Sequence, residues 1–212
     1  TLGVVEPPVA ELVMAYILDF SRKIGVLNAH MHDGRWERCE CHSVFGKTLG
    51  IVGMGKIAYE TARRACAFGM NVLYYDAVSN EKAEKAFGAV RKSLDEVLAK
   101  SDFVTVHLPL TEQTRGFFDY PTICKMKESA YLINTARGPI VDENGLYQAV
   151  KQGKIAGAAI DVFDCEPKED SILRELDNVI LTPHVGTFTK EIFIRMDVVA
   201  AQNVIDFFEN KR

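Results

Sequence analysis

The sequence predicts an α/β fold in which a doubly wound, mostly parallel β-sheet is covered by helices on both faces. From Thr48 onward, short runs rich in β-branched and apolar residues alternate with segments whose apolar residues recur at helical spacing. This alternation is typical of right-handed β-α-β units, which build parallel sheets. With 212 residues and 48% hydrophobic composition, the chain also has enough apolar side chains to bury a full core.

The opening segment is predicted to be one helix, from Pro7 to Gly25. Two prolines suit its first turn, where no backbone N–H is needed, and a glycine suits its end. Its apolar residues form a single stripe at helical spacing: Val9, Leu12, Val13, Tyr16, Ile17, Phe20 and Ile24. A polar connection over residues 28–47 follows.

After this connection, strands and helices are predicted in alternation. The strands are expected near residues 49–53, 71–76, 102–107, 130–134, 156–161 and 178–182. The helices are expected near residues 56–68, 79–87, 93–100, 119–125, 142–152 and 189–210. Sheets of this kind bind ligands at the carboxyl ends of their strands, where the strand order reverses. Functional residues are therefore expected directly after the strands.

The first predicted strand ends in a glycine loop of the kind that binds dinucleotides. Gly53, Gly55 and Ala58 stand in a G-x-G-x-x-A pattern between a strand and a helix. The first glycine permits a tight turn, the second lets a pyrophosphate approach the backbone, and the alanine lets helix and strand pack closely. Unpaired N–H groups at the start of the helix attract phosphate. The pattern predicts a Rossmann-like domain.

The second predicted strand ends in Asp76. This carboxylate follows Gly55 by about 20 residues, the spacing at which an acid binds the ribose hydroxyls of NAD. Its charge would repel the 2′-phosphate of NADP, so NAD is the predicted cofactor. The alternative interpretation of Asp76 is a helix N-cap.

Three further strand ends carry side chains suited to chemistry. In chain order they are Arg137 after YLINTA, Asp161 and Glu166 in AIDVFDCEP, and His184 in ILTPHVG. Taken singly, such an arginine is more often a surface ion pair, and a Pro-His pair is often a turn. Because all of them are predicted at one edge of one sheet, a catalytic site is favoured.

With these motifs the sequence resembles the NAD-binding domain of the D-isomer-specific 2-hydroxyacid dehydrogenases, the family of D-lactate, D-glycerate and D-3-phosphoglycerate dehydrogenases. Five stretches agree with the family in order and spacing: GKTLGIVGMGKI, SDFVTVHLPLTEQT, YLINTARGPIVDENGL, GKIAGAAIDVFDCEP and NVILTPHVG. The resemblance implies an NAD-dependent oxidoreductase that transfers a hydride between nicotinamide and a 2-oxo or D-2-hydroxy carboxylic acid.

The resemblance also implies the roles of the catalytic residues. Arg137 would bind the substrate carboxylate through two charged hydrogen bonds and polarise the neighbouring carbonyl. His184 would give a proton to the carbonyl oxygen during reduction and take it back during oxidation. Glu166 would pair with this histidine, orient its ring and favour its protonated form.

Other positions correspond to cofactor contacts of the family. Asp161 is expected beside the nicotinamide carboxamide, and Lys56 and Ile57 are expected at the pyrophosphate. The complete predicted set of cofactor-binding residues is Gly53, Gly55, Lys56, Ile57, Asp76, His107, Leu108, Pro109, Thr114, Thr135, Ala136, Arg137, Asp161, His184 and Gly186.

Residues 1–47, the opening helix and the arm after it, are expected to contact a second copy in a homodimer, as the resemblance implies. Trp36 could anchor this contact. H-x-H and C-x-C spacings do not match the usual zinc ligand pairs, so no metal is predicted in the arm. The side chains that raise the question are His30, His32, Cys39, Cys41 and His42.

Family members carry a second, substrate-binding domain, which is expected to be missing here, so that residues 1–212 are all NAD-binding domain. We expect the chain to be an expressed or proteolytic fragment rather than a natural stand-alone domain. It should bind NAD yet turn over substrate poorly, because closure of the second domain excludes water and completes the substrate site.

Composition narrows the partners and the compartment. A formal net charge of −4 argues against nucleic acid, and no apolar run reaches the length of a membrane span. Five cysteines, an odd number, favour reduced thiols in the cytoplasm. Two other functions stay open, because fold alone does not settle function: an NAD(H)-sensing, corepressor-like binding protein, and a protein that keeps NAD permanently bound.

Overall fold

The computed structural model describes residues 5–209, which form one parallel sheet and the helices that cover it. The helices are α1 (Glu6–Arg22), α2 (Ile24–His32), α3 (Lys56–Ala67), α4 (Glu81–Phe87), α5 (Leu94–Lys100), α6 (Tyr120–Ile123), α7 (Glu143–Lys151) and α8 (Lys190–Glu209). The strands are β1 (Thr48–Val52), β2 (Asn71–Tyr75), β3 (Val90–Arg91), β4 (Phe103–Val106), β5 (Tyr131–Asn134), β6 (Gly157–Ile160) and β7 (Val179–Leu181). Short 3₁₀ turns lie at Gly138–Ile140 and Ile172–Glu175.

The sheet has the strand order β3-β2-β1-β4-β5-β6-β7, and every neighbouring pair runs parallel. The chain begins in the middle of the sheet, at β1, and moves outward to β3. It then returns to β4 on the other side of β1 and moves outward to β7. This reversal opens a crevice above β1 and β4, where dinucleotides bind in such folds. The predicted doubly wound parallel sheet is confirmed.

Two apolar cores cover the sheet, one on each face. Leu49 and Ile51 of β1 belong to the core that includes α1 and α3. Val104 and Val106 of β4 belong to the core that includes α5 and α7. Each such fully buried side chain contributes about 1.5–3 kcal/mol. A layer of helices on each face is what a strand buried on both sides requires, and it holds the carboxyl ends of the strands in fixed positions.

The opening helix is shorter than predicted. α1 ends at Arg22 because Lys23 adopts a left-handed conformation with φ 52°. The Asp19 carbonyl accepts the N–H of Lys23 at 2.5 Å, and the Asp19 side chain accepts the N–H of Gly25 at 2.9 Å. The prediction that Gly25 ends the helix is therefore wrong, since a second helix runs through it.

The break at Lys23 also changes what is buried. Ile24, predicted in the buried stripe, is 59% exposed, while Val13 and Ile17 of that stripe are fully buried. The predicted polar connection begins as helix, because α2 continues to His32. Within the described residues, α2 has no buried side chain.

Two elements at the edges of the fold stand apart from the cores. The strand β3 was not predicted, because two residues are too short to show a period; the other strands confirm their predictions within one or two residues. α8 confirms its prediction over residues 190–209, while the predicted last residue, 210, lies outside the described residues. Ile192 is its only buried residue within the described part of the chain. Its large apolar side chains are exposed: Phe193, Ile194, Val198, Val204, Ile205, Phe207 and Phe208.

Across residues 5–209, every helix is too short or too polar to cross a bilayer.

Candidate active site

The turn after β1 strongly favours glycine at its first position. Gly53 has φ 96°, a conformation that side chains with a Cβ rarely adopt. A Cβ there would lie 2.8 Å from the carbonyl oxygen of His107, at the end of the neighbouring strand. The N–H of Gly53 donates to the Tyr75 carbonyl at 2.8 Å. The loop is therefore locked between the ends of β2 and β4.

Gly55 has the opposite surroundings. It precedes the first residue of α3, is exposed, and an added Cβ would find no atom of the described residues within 4 Å. Within residues 5–209 no side chain caps this end of α3, so its first N–H groups are left without a side-chain partner there. Open space beside unpaired N–H groups at a helix start is what a pyrophosphate needs. The loop therefore fits NAD.

Asp76 connects the end of β2 to the glycine loop. Its Oδ2 accepts the N–H of Met54 at 2.7 Å, and its Oδ1 accepts the N–H of Val78 at 3.1 Å. A carboxylate has about four acceptor positions, so two are left for the hydroxyls of a ribose. The N-cap interpretation of Asp76 is wrong, because Asn80 caps α4 through the N–H of Ala83.

Arg91 holds this corner from the edge strand. Its guanidinium donates to the carbonyl of Asp76 at 2.8 Å and to the carbonyl of Ala77 at 2.7 Å. These bonds fix the backbone that carries the carboxylate of Asp76. Sequence reasoning missed Arg91, because a two-residue strand gives no signal.

A cleft of about 490 Å³ lies over the ends of β4 and β5. The hydroxyl oxygen of Thr135 is buried without a hydrogen-bond partner in the part of the chain that the structure describes, as expected of a polar atom that meets a bound ligand. The residues that line the cleft are Ile57, His107, Leu108, Pro109, Leu110, Thr135, Ala136 and Arg137. Seven of these eight belong to the predicted cofactor set.

Near this cleft, His107 and Thr114 form hydrogen bonds within the protein. The Nε2 atom of His107 lies 3.1 Å from the hydroxyl of Thr105, and burial lowers the pKa of His107 to about 4. The imidazole is therefore uncharged at neutral pH. The hydroxyl of Thr114 donates to the carbonyl of Pro109 at 2.6 Å, so it stabilises the turn, and Thr114 does not line the cleft.

The loop after β5 presents Arg137. Asn134, almost fully buried, accepts the N–H of Ala136 at 3.0 Å and donates to the carbonyl of Arg137 at 3.0 Å. The guanidinium of Arg137 is exposed and donates to the carbonyl of Ala136 at 2.6 Å. Sequence reasoning missed Asn134, although an asparagine at a strand end is a signal for such a turn.

Glu166 and His184 meet side by side. Nδ1 of His184 lies 2.6 Å from Oε2 of Glu166, and because the carboxylate can only accept, Nδ1 is the donor. Burial raises the pKa of Glu166. The hydrogen bonds from His184 and from the Phe163 N–H, with the charges of His184 and Arg137, outweigh burial and hold this pKa below its ordinary value. Glu166 is therefore ionised at neutral pH, and its bond to His184 occupies Nδ1 of the ring rather than Nε2.

The loop that carries Glu166 is anchored to α7. Lys168, with 15% of its side chain exposed, lies 3.3 Å from a carboxylate oxygen of Asp164 and 3.9 Å from one of Glu143. The hydroxyl of Ser171 donates to Glu143 at 2.7 Å. These contacts on both sides of Glu166 limit where its carboxylate can move.

His184 itself has φ 53°, which is unusual for a residue with a side chain. The two residues after it are held by Asp161, whose fully buried carboxylate accepts the N–H of Val185 at 2.8 Å and the N–H of Gly186 at 2.9 Å. Of the residues predicted at this edge, Glu166 binds His184, and the positive charge of Arg137 contributes to the lowered pKa of Glu166.

The arm after α2 contains two neighbouring thiols, with Sγ atoms of Cys39 and Cys41 4.0 Å apart. In the described ranges, no three His, Cys, Asp or Glu side chains come close enough together to hold a metal ion.

A glycine loop that fits a pyrophosphate, a carboxylate at the end of β2 and a histidine–glutamate pair at the same edge define a dinucleotide-binding domain of the dehydrogenase type. Residues 14–186 match the family described as D-isomer specific 2-hydroxyacid dehydrogenase, NAD binding domain. The chain belongs to this family.

Named relatives agree with the family. The chain is 40% identical to a glyoxylate reductase of Korarchaeum cryptofilum, over 98% of this chain and 64% of the relative. It is 39% identical to a hydroxypyruvate reductase of Thermotoga maritima, over 96% of this chain and 67% of the relative. The crystal structure of D-lactate dehydrogenase from Aquifex aeolicus, complexed with NAD and lactic acid, superposes with a TM-score of 0.89 at 32% identity, covering 99% of this chain and 68% of that one. The chain thus spans about two thirds of the length of these relatives.

Proposed function

We propose that the protein transfers a hydride between NAD and a 2-oxo or D-2-hydroxy carboxylic acid. The observation that carries the proposal is the Glu166–His184 pair, 2.6 Å apart, within the electrostatic reach of Arg137. An acid/base oriented by a carboxylate, beside an exposed guanidinium, is the equipment for reducing a carbonyl next to a carboxylate.

NAD supplies the hydride acceptor or donor when it is bound. His184 moves the proton. Because its Nδ1 donates to Glu166, its Nε2 is the atom that gives a proton to the substrate oxygen in reduction and removes it in oxidation. The ionised Glu166 stabilises the imidazolium that exists before reduction and after oxidation.

Arg137 positions the substrate. Its exposed guanidinium can give a carboxylate two parallel hydrogen bonds, which places the carbonyl next to that carboxylate at a fixed distance from the arginine. The positive charge also draws electron density toward the carboxyl end of the substrate, which favours hydride addition at the carbonyl carbon.

The proposal also includes a substrate-binding domain, a homodimer and a cytoplasmic location. Residues 1–212 act as the NAD-binding domain, and a separate substrate-binding domain closes over the cleft. The arm within residues 1–47 supports a homodimer, since Ile24, Met31 and Trp36 are exposed apolar side chains. Five free thiols support a cytoplasmic location. The named relatives are reductases and dehydrogenases, so the corepressor-like alternative draws no support from them.

The test has a binding stage and a turnover stage. NADH fluorescence is titrated with this chain, and dialysis then shows whether bound NAD exchanges, as a cosubstrate must. The protein that carries the chain is next given NADH and a panel of 2-oxo acids, and loss of NADH absorbance is followed. We expect saturable binding, exchange and consumption of NADH with at least one 2-oxo acid.

The matched variants are His184→Asn and His32→Asn, the second being an exposed histidine on α2. His184→Asn should lower kcat by about a hundredfold or more and keep NADH affinity, because general acid catalysis is lost. His32→Asn should behave as wild type. NADH binding without consumption of any 2-oxo acid, or full activity of His184→Asn, would overturn the proposal.

A further inference from the structure

A hydrogen-bonded chain of three side chains joins α1 to the catalytic edge. The hydroxyl of Tyr16 lies 2.5 Å from the hydroxyl of Thr182, which lies 2.5 Å from Oδ1 of Asp161. Tyr16 is 4% exposed and Asp161 is fully buried. Tyr16 and Thr182 belong neither to the glycine loop nor to the arginine, glutamate and histidine of the proposed mechanism.

The hydrogen bonds that join these three side chains run in one direction. The carboxylate of Asp161 already accepts two backbone N–H groups, so the Thr182 hydroxyl donates to it and Tyr16 donates to Thr182. Burial raises the pKa of Tyr16 well above its ordinary value, and the nearby Asp161 acts in the same sense, although the bond to Thr182 opposes them. Tyr16 therefore keeps its proton at every pH at which the protein works.

This series of hydrogen bonds ends at the segment that follows His184. The N–H groups held by Asp161 belong to Val185 and Gly186, the next two residues. A Cβ on Gly186 would lie 3.1 Å from Oδ2 of Asp161, so the segment sits tightly against the carboxylate. A residue with φ 53°, such as His184, persists only where its neighbours are fixed.

We propose that Tyr16 and Thr182 are positioning residues for His184, acting through Asp161. They orient the carboxylate, the carboxylate fixes the two amides, and the amides set the left-handed turn that aims the imidazole. This inference rests on the proposed function of His184.

The test compares three variants of this polypeptide. Thr182→Val keeps the branched shape of the side chain but removes the hydroxyl donor, and Thr182→Ser keeps a hydroxyl at this position. Tyr16→Phe removes only the hydroxyl that begins the hydrogen-bonded series. The ring resonances of His184, assigned by their loss in His184→Asn, are recorded by two-dimensional proton–carbon NMR. NADH affinity and thermal unfolding are measured on the same samples.

We expect Thr182→Val to shift and broaden the His184 resonances and Thr182→Ser to return them toward their wild-type positions. In the protein that carries the chain, Thr182→Val should lower kcat about tenfold with the KM for NADH kept, which is the effect of one hydrogen bond to a charged group. Tyr16→Phe should shift the same resonances less. Combined with Thr182→Val it should add nothing, because its effect passes through Thr182.

Unchanged His184 resonances in folded Thr182→Val would overturn the inference, and so would equal shifts in the serine and valine variants. If Thr182→Val does not fold, Tyr16→Phe decides, and unchanged resonances there overturn the inference. Absence of NADH consumption by the wild-type protein is a different result, since it refutes the proposed function while the resonances still report on the coupling.

Discussion

Two regions at the carboxyl edge of the sheet hold the proposed binding groups in different ways. At β1 and β2 the groups proposed to bind NAD are mainly backbone: Gly53 with φ 96°, an unobstructed Gly55 and the N–H groups that begin α3. At β5 to β7 they are side chains on loops, such as Arg137 and His184, both exposed. A backbone site is fixed by the shape of a turn, while a side-chain site needs partners that hold each group in place.

The partners differ accordingly. Around the glycine loop, protein hydrogen bonds stabilise the loop itself, as Asp76 does for Met54. Around the catalytic edge they aim a side chain: Glu166 holds the ring of His184, and Lys168 helps to hold the loop of Glu166. Substitutions in the first region should therefore act on cofactor affinity and folding, and those in the second region on turnover.

The largest effect is expected from Glu166→Gln. The amide cannot stabilise a protonated imidazole, so kcat for reduction of a 2-oxo acid should fall by about a hundredfold. Steady-state kinetics measure this fall. Glu169→Gln, an exposed glutamate of the same loop, is the control. Unchanged kcat in Glu166→Gln would show that the catalytic edge does not depend on this partner.

Arg137→Lys comes next. A lysine keeps the charge but loses the planar pair of donors, so the KM for the 2-oxo acid should rise and kcat should fall, by about 10- to 100-fold in kcat/KM together. NADH affinity, measured by fluorescence, should stay constant because the glycine loop is untouched. Arg195→Lys on α8 serves as the control. Unchanged kinetics would refute the role given to the guanidinium.

The glycine pair Gly53→Ala and Gly55→Ala separates folding from binding in the other region. Gly53→Ala should lower the free energy of unfolding by about 1–3 kcal/mol, since alanine is strained at φ 96°. Gly55→Ala should leave it within about 0.5 kcal/mol of wild type, because its Cβ meets no atom of the protein. Both should weaken NADH binding by about tenfold or more. Tight NADH binding by Gly55→Ala would show that the pyrophosphate lies elsewhere.

The smallest expected effect concerns His107, which lies between the two regions. Its pKa of about 4 in the folded chain lies below the ordinary 6.5, so the unfolded chain binds the extra proton in that window. The free energy of unfolding should therefore fall by about 1–2 kcal/mol from this group between about pH 7 and about pH 5. In His107→Asn, this part of the fall should vanish in urea titrations, while His42→Asn should keep it. Equal pH slopes in His107→Asn and wild type would contradict the burial of an uncharged imidazole.

The sequence was enough to predict the sheet and most helices, because each long element repeats its apolar residues at a regular interval. It could not reveal β3, which has two residues, or the break at Lys23, since a left-handed lysine has no sequence signature. The same contrast holds in the site. Arg137, Glu166 and His184 stand in motifs that can be read from the sequence, whereas Lys168 supports the loop of Glu166 through a contact with Glu143 in a distant segment. The side chain of Asn134 bonds to its near neighbours Ala136 and Arg137, so its role in the turn was open to prediction.

The bond from Met54 to Asp76 matters to anyone who redesigns this domain for NADP. Replacing the Asp76 carboxylate with a neutral or basic group removes the repulsion of the 2′-phosphate of NADP. An aliphatic replacement, however, also removes the oxygen that accepts the N–H of Met54 in the glycine loop. An engineer should therefore choose serine or asparagine at this position, and add the cation that recognises the extra phosphate at a different one.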